Sequence, residues 1–151
     1  ARKIVIEGNA RVASFNMSEQ DINAFMVQPW VMTSSDGSTG HPRKYATFPK
    51  KFATYVEQQS LLSIQQFIAQ SSTVPATTFG LLNRGTLKTG SIADIVIFDK
   101  NRFKPKADYL HPELLSEGVE WLLIDGQVVI ARNEASKTLA GQVIRQSQNT
   151  Q

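Results

Sequence analysis

A chain of 151 residues with 41% hydrophobic and 19% charged side chains has the composition of a folded domain and is long enough to bury a core. It has no cysteine, which excludes disulfides and thiolate chemistry, and only two histidines, His41 and His111, far apart and each followed by proline. The net charge of +3 is a mild excess that speaks only for solubility, no run of about 18 apolar residues would span a membrane, and no charged start runs into an apolar secretory segment.

The first apolar run, residues 4–6, is of undecided type. Ser18 and Asp21 fit a capping pattern, and Ile22, Phe25 and Met26 follow at helical spacing until Pro29 stops the helix. Trp30-Val31-Met32 then reads as a short buried strand that delivers the polar loop Thr33-Ser34-Ser35-Asp36-Gly37 at its C-terminal end. Pro49 is expected to start the next helical turn, with Phe48, Phe52, Tyr55 and Val56 on its core face and Lys50 and Lys51 on a solvated one. Ser63 and Gln66 form a second capping box before Ile64, Phe67 and Ile68. Pro75 opens a short helix, and Gly80 is placed to cap it.

The character changes after about Arg84. Asn83-Arg84-Gly85 and Thr89-Gly90 are turn signals, and residues 93–98 are rich in β-branched side chains. The apolar runs 120–124 and 127–131 flank Asp125-Gly126, a strong hairpin signal because a type I′ turn needs positive φ at both central residues. Trp121 is expected to pack within this β-region, and residues 146–151 are polar and expected to fray. Two units follow, a helical one over 1–82 and a β-rich one over 83–151.

Two features bear on chemistry. Between Asp36 and Glu57 there is no acidic residue, while Arg43, Lys44, Lys50 and Lys51 all fall there, so a positive field should surround the segment. Asp36 itself would sit at the C-terminal end of a buried strand, where barrel enzymes build their active sites. On spacing alone a plain turn is the better explanation of Ser-Asp-Gly. His41 has no spaced partner and reads as a loop or supporting residue. A hydrolytic zinc site usually takes about three protein ligands, so this chain is not expected to hold one by itself.

The residues that follow Asp36 add a resemblance. Asp36-Gly37, then His41-Pro42-Arg43, then Tyr45-Ala46-Thr47-Phe48-Pro49 resemble the signature of the N-acyl-D-amino-acid deacylases, the D-aminoacylase group of the amidohydrolases. Ser72-Thr73-Val74-Pro75-Ala76 is similar to a Thr-x-x-Pro-Ala segment of that group. Phe79-Gly80-Leu81, Arg84-Gly85, Gly90, Ala93-Asp94-Ile95-Val96-Ile97-Phe98-Asp99 and Ile124-Asp125-Gly126 continue the likeness over nearly the whole chain. The resemblance implies a mixed α/β fold, the C-terminal piece of a (β/α)8 barrel with its last strand and helices, followed by part of a small β-sandwich domain. It implies zinc in the intact parent, which activates a water against the amide of a small-molecule N-acyl amino acid. Asp36 matches the acid/base carboxylate and Arg43 the arginine that grips the substrate carboxylate, with Ser35 and His41 beside them in the substrate pocket.

Two departures stand out. The loop from Asp36 to His41 is shorter than in the best-known members, which bears on the pocket. The His-x-His pair, the later histidines and the bridging cysteine or lysine have no counterpart here. The chain is therefore expected to be a piece of a larger enzyme, inactive and without zinc on its own, that exposes apolar surface to the rest of its parent or to itself. No nucleic-acid or membrane partner is expected. The rival readings are a small basic module that holds a polyanion through residues 43–51, and a non-catalytic domain that kept the barrel sequence without its metal site.

Overall fold

The computed structural model describes residues 16–145. The expectations for residues 4–6 and 146–151 lie outside that range.

The first helix, α1 (Glu19–Met26), starts where Ser18 Oγ accepts the Asp21 amide at 3.3 Å, with Glu19 and Asp21 in the first turn against the positive helix end. It ends ahead of Pro29, and none of its residues is buried. Phe25 rests edge-on against Trp30, with ring centroids 6.2 Å apart. The expected strand at residues 30–32 does not form: Trp30 stands in a turn that the Val31 amide closes by donating to Gln28 O at 3.1 Å, the segment pairs with no strand, and Trp30 is 60% exposed. A buried parallel strand needs neighbours on both edges, and the one sheet among the described residues is antiparallel and begins at Ile95. The segment is held instead by a helix, through the Thr33 amide, which donates to the Gln70 carbonyl at 2.9 Å.

The second helix, α2 (Arg43–Lys51), begins after Pro42, so Pro49 does not start it but lies inside it. Proline has no N–H for the carbonyl four residues back, that of Tyr45. The Ser116 hydroxyl donates to that carbonyl instead, so the cost of the internal proline is offset from the β-rich half of the chain. The helix runs on as a π-helical turn, Phe52–Gln58, with Gln59 N donating to Thr54 O. The faces along this continuous helix differ from those expected. Phe52 is fully buried, Tyr55 and Val56 are half-buried, and Phe48 is 36% exposed rather than in the core. Lys51, expected on a solvated face, is only 6% exposed, while Lys50 beside it is open to solvent.

The third helix, α3 (Ile64–Ser71), has both halves of its capping box: Ser63 Oγ accepts from Gln66 N at 3.2 Å, and Gln66 Oε1 accepts from Ser63 N at 2.8 Å. The fourth, α4 (Thr73–Thr78), closes with Gly80 at φ +63°. Leu81 N donates to Ala76 O at 2.8 Å and Gly80 N to Thr77 O at 3.2 Å, the paired bonds of a Schellman cap.

Four antiparallel strands follow in sequence order: β1 (Ile95–Phe98), β2 (Val119–Ile124), β3 (Gln127–Ala131) and β4 (Glu134–Ala135). Ile97 pairs with Trp121, and Leu122 pairs with Ile130. Asp125 and Gly126 stand at φ +51° and +75°, as the hairpin reading expected. A second tight turn, at Arg132 and Asn133 with φ of +53° and +66°, brings in β4.

The core joins the two halves through aromatic rings. Phe52 meets Phe67 at 5.2 Å, Phe98 at 5.6 Å and Phe103 at 5.7 Å, all in edge-on geometry. Phe103 lies on the long connection between β1 and β2, whose return passes so close that a Cβ on Gly118 would fall 2.4 Å from the Arg102 carbonyl carbon. Elsewhere large apolar side chains stay open, among them Leu82, Leu87, Leu110, Leu139 and Val143.

Candidate active site

The loop after this unpaired segment turns at Asp36, which adopts φ +42°, a left-handed conformation that aspartate tolerates better than most residues. Ser34 Oγ accepts the Asp36 amide at 3.4 Å. The carboxylate is left 79% exposed, and Arg43, the first residue of α2, reaches back to it with Nη2 3.0 Å from Oδ2. The same Nη2 donates to Ser38 Oγ at 3.2 Å. Pro42 just ahead of the helix and the turn at Gly40 bring these two charged groups, seven positions apart in sequence, within contact.

His41 lies between them. Its Nδ1 accepts the Arg43 amide at 3.1 Å, so a neutral ring carries its proton on Nε2, and the ring stands edge-on to Tyr109 at 5.3 Å. Ser35 is half-buried beside Gly37 and makes none of these contacts. Arg43 Nε is buried and has no hydrogen-bond partner, although its side chain as a whole is 40% exposed. A buried, unsatisfied guanidinium N–H is unusual, and here Arg43 lines a cleft of about 590 Å3 with His41, Lys50, Lys104 and Tyr109. Glu57 and Asp108 line it too, so the positive field read from the sequence is partly balanced by groups from other segments.

The pattern of the amidohydrolase family matches residues 11–130. The chain belongs to the amidohydrolase family. An N-acyl-D-glutamate deacylase of Alcaligenes xylosoxydans xylosoxydans is 31% identical over 135 residues, which cover 87% of this chain and 28% of that protein. Among solved structures, a D-aminoacylase studied for its binuclear metal centre superimposes with a TM-score of 0.80 at 27% identity, over 86% of this chain and 28% of that one. An N-acyl-D-glutamate deacylase from Bordetella bronchiseptica, bound to zinc and a phosphonate inhibitor, superimposes with a TM-score of 0.77 at 32% identity over 85% of this chain. The mixed α/β fold of this region of the amidohydrolase is thus that of the D-aminoacylases, and the chain spans about 28% of the length of these relatives.

The described residues of this amidohydrolase region bring no metal centre together. Among the described residues no group of three or more His, Cys, Asp and Glu side chains converges. His41 spends Nδ1 on a backbone amide, and His111 pairs with Asp108 at 3.4 Å on an exposed connection. The carboxylate of Asp108 is held below its usual pKa, first by the backbone N–H of His111.

Beside the loop lies a group that periodicity could not reveal. Lys51 Nζ donates to Thr33 Oγ1 at 2.9 Å and to Gln70 Oε1 at 2.7 Å. Gln70 in turn donates through Nε2 to Met26 O and Gln28 O, and Thr33 Oγ1 shares a hydrogen bond with Ser71 Oγ at 2.9 Å. Four segments thus meet at one ammonium group whose two acceptors are neutral. Burial pulls its pKa from the usual 10.5 down to about 8. Between those two values the unfolded chain holds the extra proton, so the cost of burying the charge is present in full below pH 8 and fades as pH rises. Stability is therefore expected to rise by up to about 3 kcal/mol as pH goes from about 8 to 10.5. Urea unfolding of wild type and Lys51→Met across that range checks this, because the variant lacks the titrating group. Equal pH dependence in the two proteins would remove Lys51 from the explanation.

Proposed function

We propose that this chain is the part of a metal-dependent N-acyl-D-amino-acid deacylase that supplies the acid/base carboxylate Asp36 and the substrate-binding Arg43. Residues 30–35 act as the last strand of a (β/α)8 barrel when flanked by the rest of the parent, and residues 83–151 contribute to a small β-sandwich. The ligands of the zinc ion lie outside this chain, and the chain alone is inactive. The observation that carries this reading is the Asp36–Arg43 contact at 3.0 Å, set within a sequence that matches the deacylases across most of its length.

The chemistry follows from the two side chains. Asp36 is exposed and accepts charge-assisted hydrogen bonds, so as a base it can take a proton from the attacking water and return it to the leaving amine. Arg43 Nη2 holds Asp36 and Ser38 while its Nε is buried without a partner, so the guanidinium has to turn from Asp36 for the Nε–Nη2 edge to grip a substrate carboxylate as a fork. An ion pair this exposed is worth about 0–1 kcal/mol. A substrate carboxylate can therefore displace Asp36 from Arg43 at little cost and leave the carboxylate free for proton transfer. Ser35 and His41 border this pocket.

The test is hydrolysis of N-acyl-D- and N-acyl-L-amino acids by the full-length enzyme, before and after chelation and zinc restoration. The expected result is D-selective amide cleavage that zinc restores; a folded, zinc-loaded enzyme that cleaves neither enantiomer would overturn the reading. Arg43→Lys in the same enzyme keeps the charge but loses the planar fork. It is expected to raise KM with little change in kcat, a loss of about 1–3 kcal/mol in binding. A fall in kcat alone would place Arg43 elsewhere in the reaction.

A further inference from the structure

The buried ammonium of Lys51 borders a second cleft, of about 290 Å3, that contains neither Asp36 nor Arg43. Lys50 lines it as well, with the hydroxyl-bearing residues Thr33, Ser34, Thr54 and Tyr55, and no residue lining it is acidic. Lys51 is 6% exposed, and both acceptors of its Nζ, Thr33 Oγ1 and Gln70 Oε1, are neutral. An ammonium has three N–H donors and no acceptor, so two neutral acceptors leave both its charge and one donor unmatched by these contacts. A charge taken out of water without an opposite charge is costly. The charged and titratable groups around it are few. Lys50 adds a like charge from the same helix. Tyr55, on the π-helical turn, has its pKa raised first by burial and then by the charge of Glu19 from α1. Gln70 and Ser71 of α3, and Thr33 and Ser34 of the unpaired segment, are neutral.

We propose that this cleft is a binding site for a small oxyanion, a carboxylate or a phosphate group, which supplies the counter-charge that Lys51 lacks. Lys51 and Lys50 provide the positive charge, and the Ser34, Thr54 and Tyr55 hydroxyls provide donors at the cleft wall. Thr33 already gives one lone pair to Lys51 and orients it. The cleft shares residues 31–34 with the strand of the deacylase reading, but its readout is the protonation of one side chain in this chain and involves no catalysis, so the two readings fail separately.

An oxyanion that binds the ammonium form must raise the pKa of Lys51. At about ten times its Kd, a ligand selective for the charged form moves the titration midpoint up by about one pH unit. The experiment is NMR titration of the side chain of Lys51, isotopically labelled, in acetate, phosphate or chloride at constant ionic strength. Without oxyanion the midpoint is expected near 8. With acetate or phosphate at about ten times the Kd it is expected to rise by about one unit, with shifts at the Thr33 and Tyr55 amides, while chloride leaves it in place. A larger effect from acetate identifies a carboxylate as the natural occupant, and a larger effect from phosphate identifies a phosphate group. In Lys51→Met the amide shifts should vanish, and in Lys50→Met, a surface change, the apparent Kd should weaken several-fold. A wild-type midpoint that moves no more in acetate and phosphate than in chloride overturns the proposal, whether or not the variants fold.

Discussion

Asp36→Asn in the full-length enzyme is expected to lower kcat by about 10²- to 10⁴-fold while zinc content and fold stay unchanged, since that is the usual contribution of one general acid–base group. The structure makes the substitution a clean one. The side chain is 79% exposed, so an isosteric amide disturbs no packing. The backbone at φ +42° suits asparagine as well as aspartate. What is lost in the ground state is an exposed ion pair with Arg43, worth about 0–1 kcal/mol, too little to account for a hundredfold loss of turnover. A large fall in kcat would therefore report proton transfer. Near-normal turnover with zinc bound would return Asp36 to a plain loop residue and end the catalytic assignment.

What the sequence revealed and what it hid divide along physical lines. Local chemistry was legible. Ser63 with Gln66 formed its capping box, Gly80 its left-handed cap, and Asp125-Gly126 its turn, because each depends on a few adjacent residues and a backbone angle. The register change in the helix was not. Nothing in Phe52-Ala53-Thr54-Tyr55 announces a π-helical turn, and nothing near Lys51 in sequence announces the long-range bonds to Thr33 and Gln70 that hold it out of solvent. The turn at Arg132-Asn133 was also missed, since it lacks the glycine that marks Asp125-Gly126, although asparagine's tolerance of positive φ was a usable clue. The strand at residues 30–32 was read from an apolar run, but pairing depends on neighbours, and none lies alongside it among the described residues.

The site shows the same division. The motif order from Asp36 to Arg43 named the two charged residues, and the turn at Gly40 with the helix start after Pro42 brought them together. The unsatisfied Nε of Arg43 was not readable, because it depends on which contacts surround one edge of a guanidinium. Nor was the role of Ser116, more than seventy positions from the Tyr45 carbonyl it serves, since only the fold brings it to the helix that Pro49 interrupts.

Phe52→Ala is expected to be the most damaging single change to the fold, at about 3–5 kcal/mol. Phe52 is 1% exposed and touches the rings of Phe67, Phe98 and Phe103 at once. Truncation removes the buried area, leaves a cavity between a helix and a sheet that are each held by other contacts, and ends three edge-on ring pairs worth about 0.5–1.5 kcal/mol each beyond their area. The site cannot collapse easily, because Gly118 already brings the Arg102–Phe103 backbone as close as it can come. Domains of this size are stable by only about 5–15 kcal/mol, so the variant should unfold at far lower urea or be largely unfolded without it. Phe48→Ala, four residues earlier on the same helix but 36% exposed, is the control and should cost about 1 kcal/mol or less. Urea titrations of both variants, followed by far- and near-UV circular dichroism, decide the matter. A Phe52→Ala midpoint no lower than that of Phe48→Ala would mean that the aromatic cluster does not hold the helical and β-rich halves together.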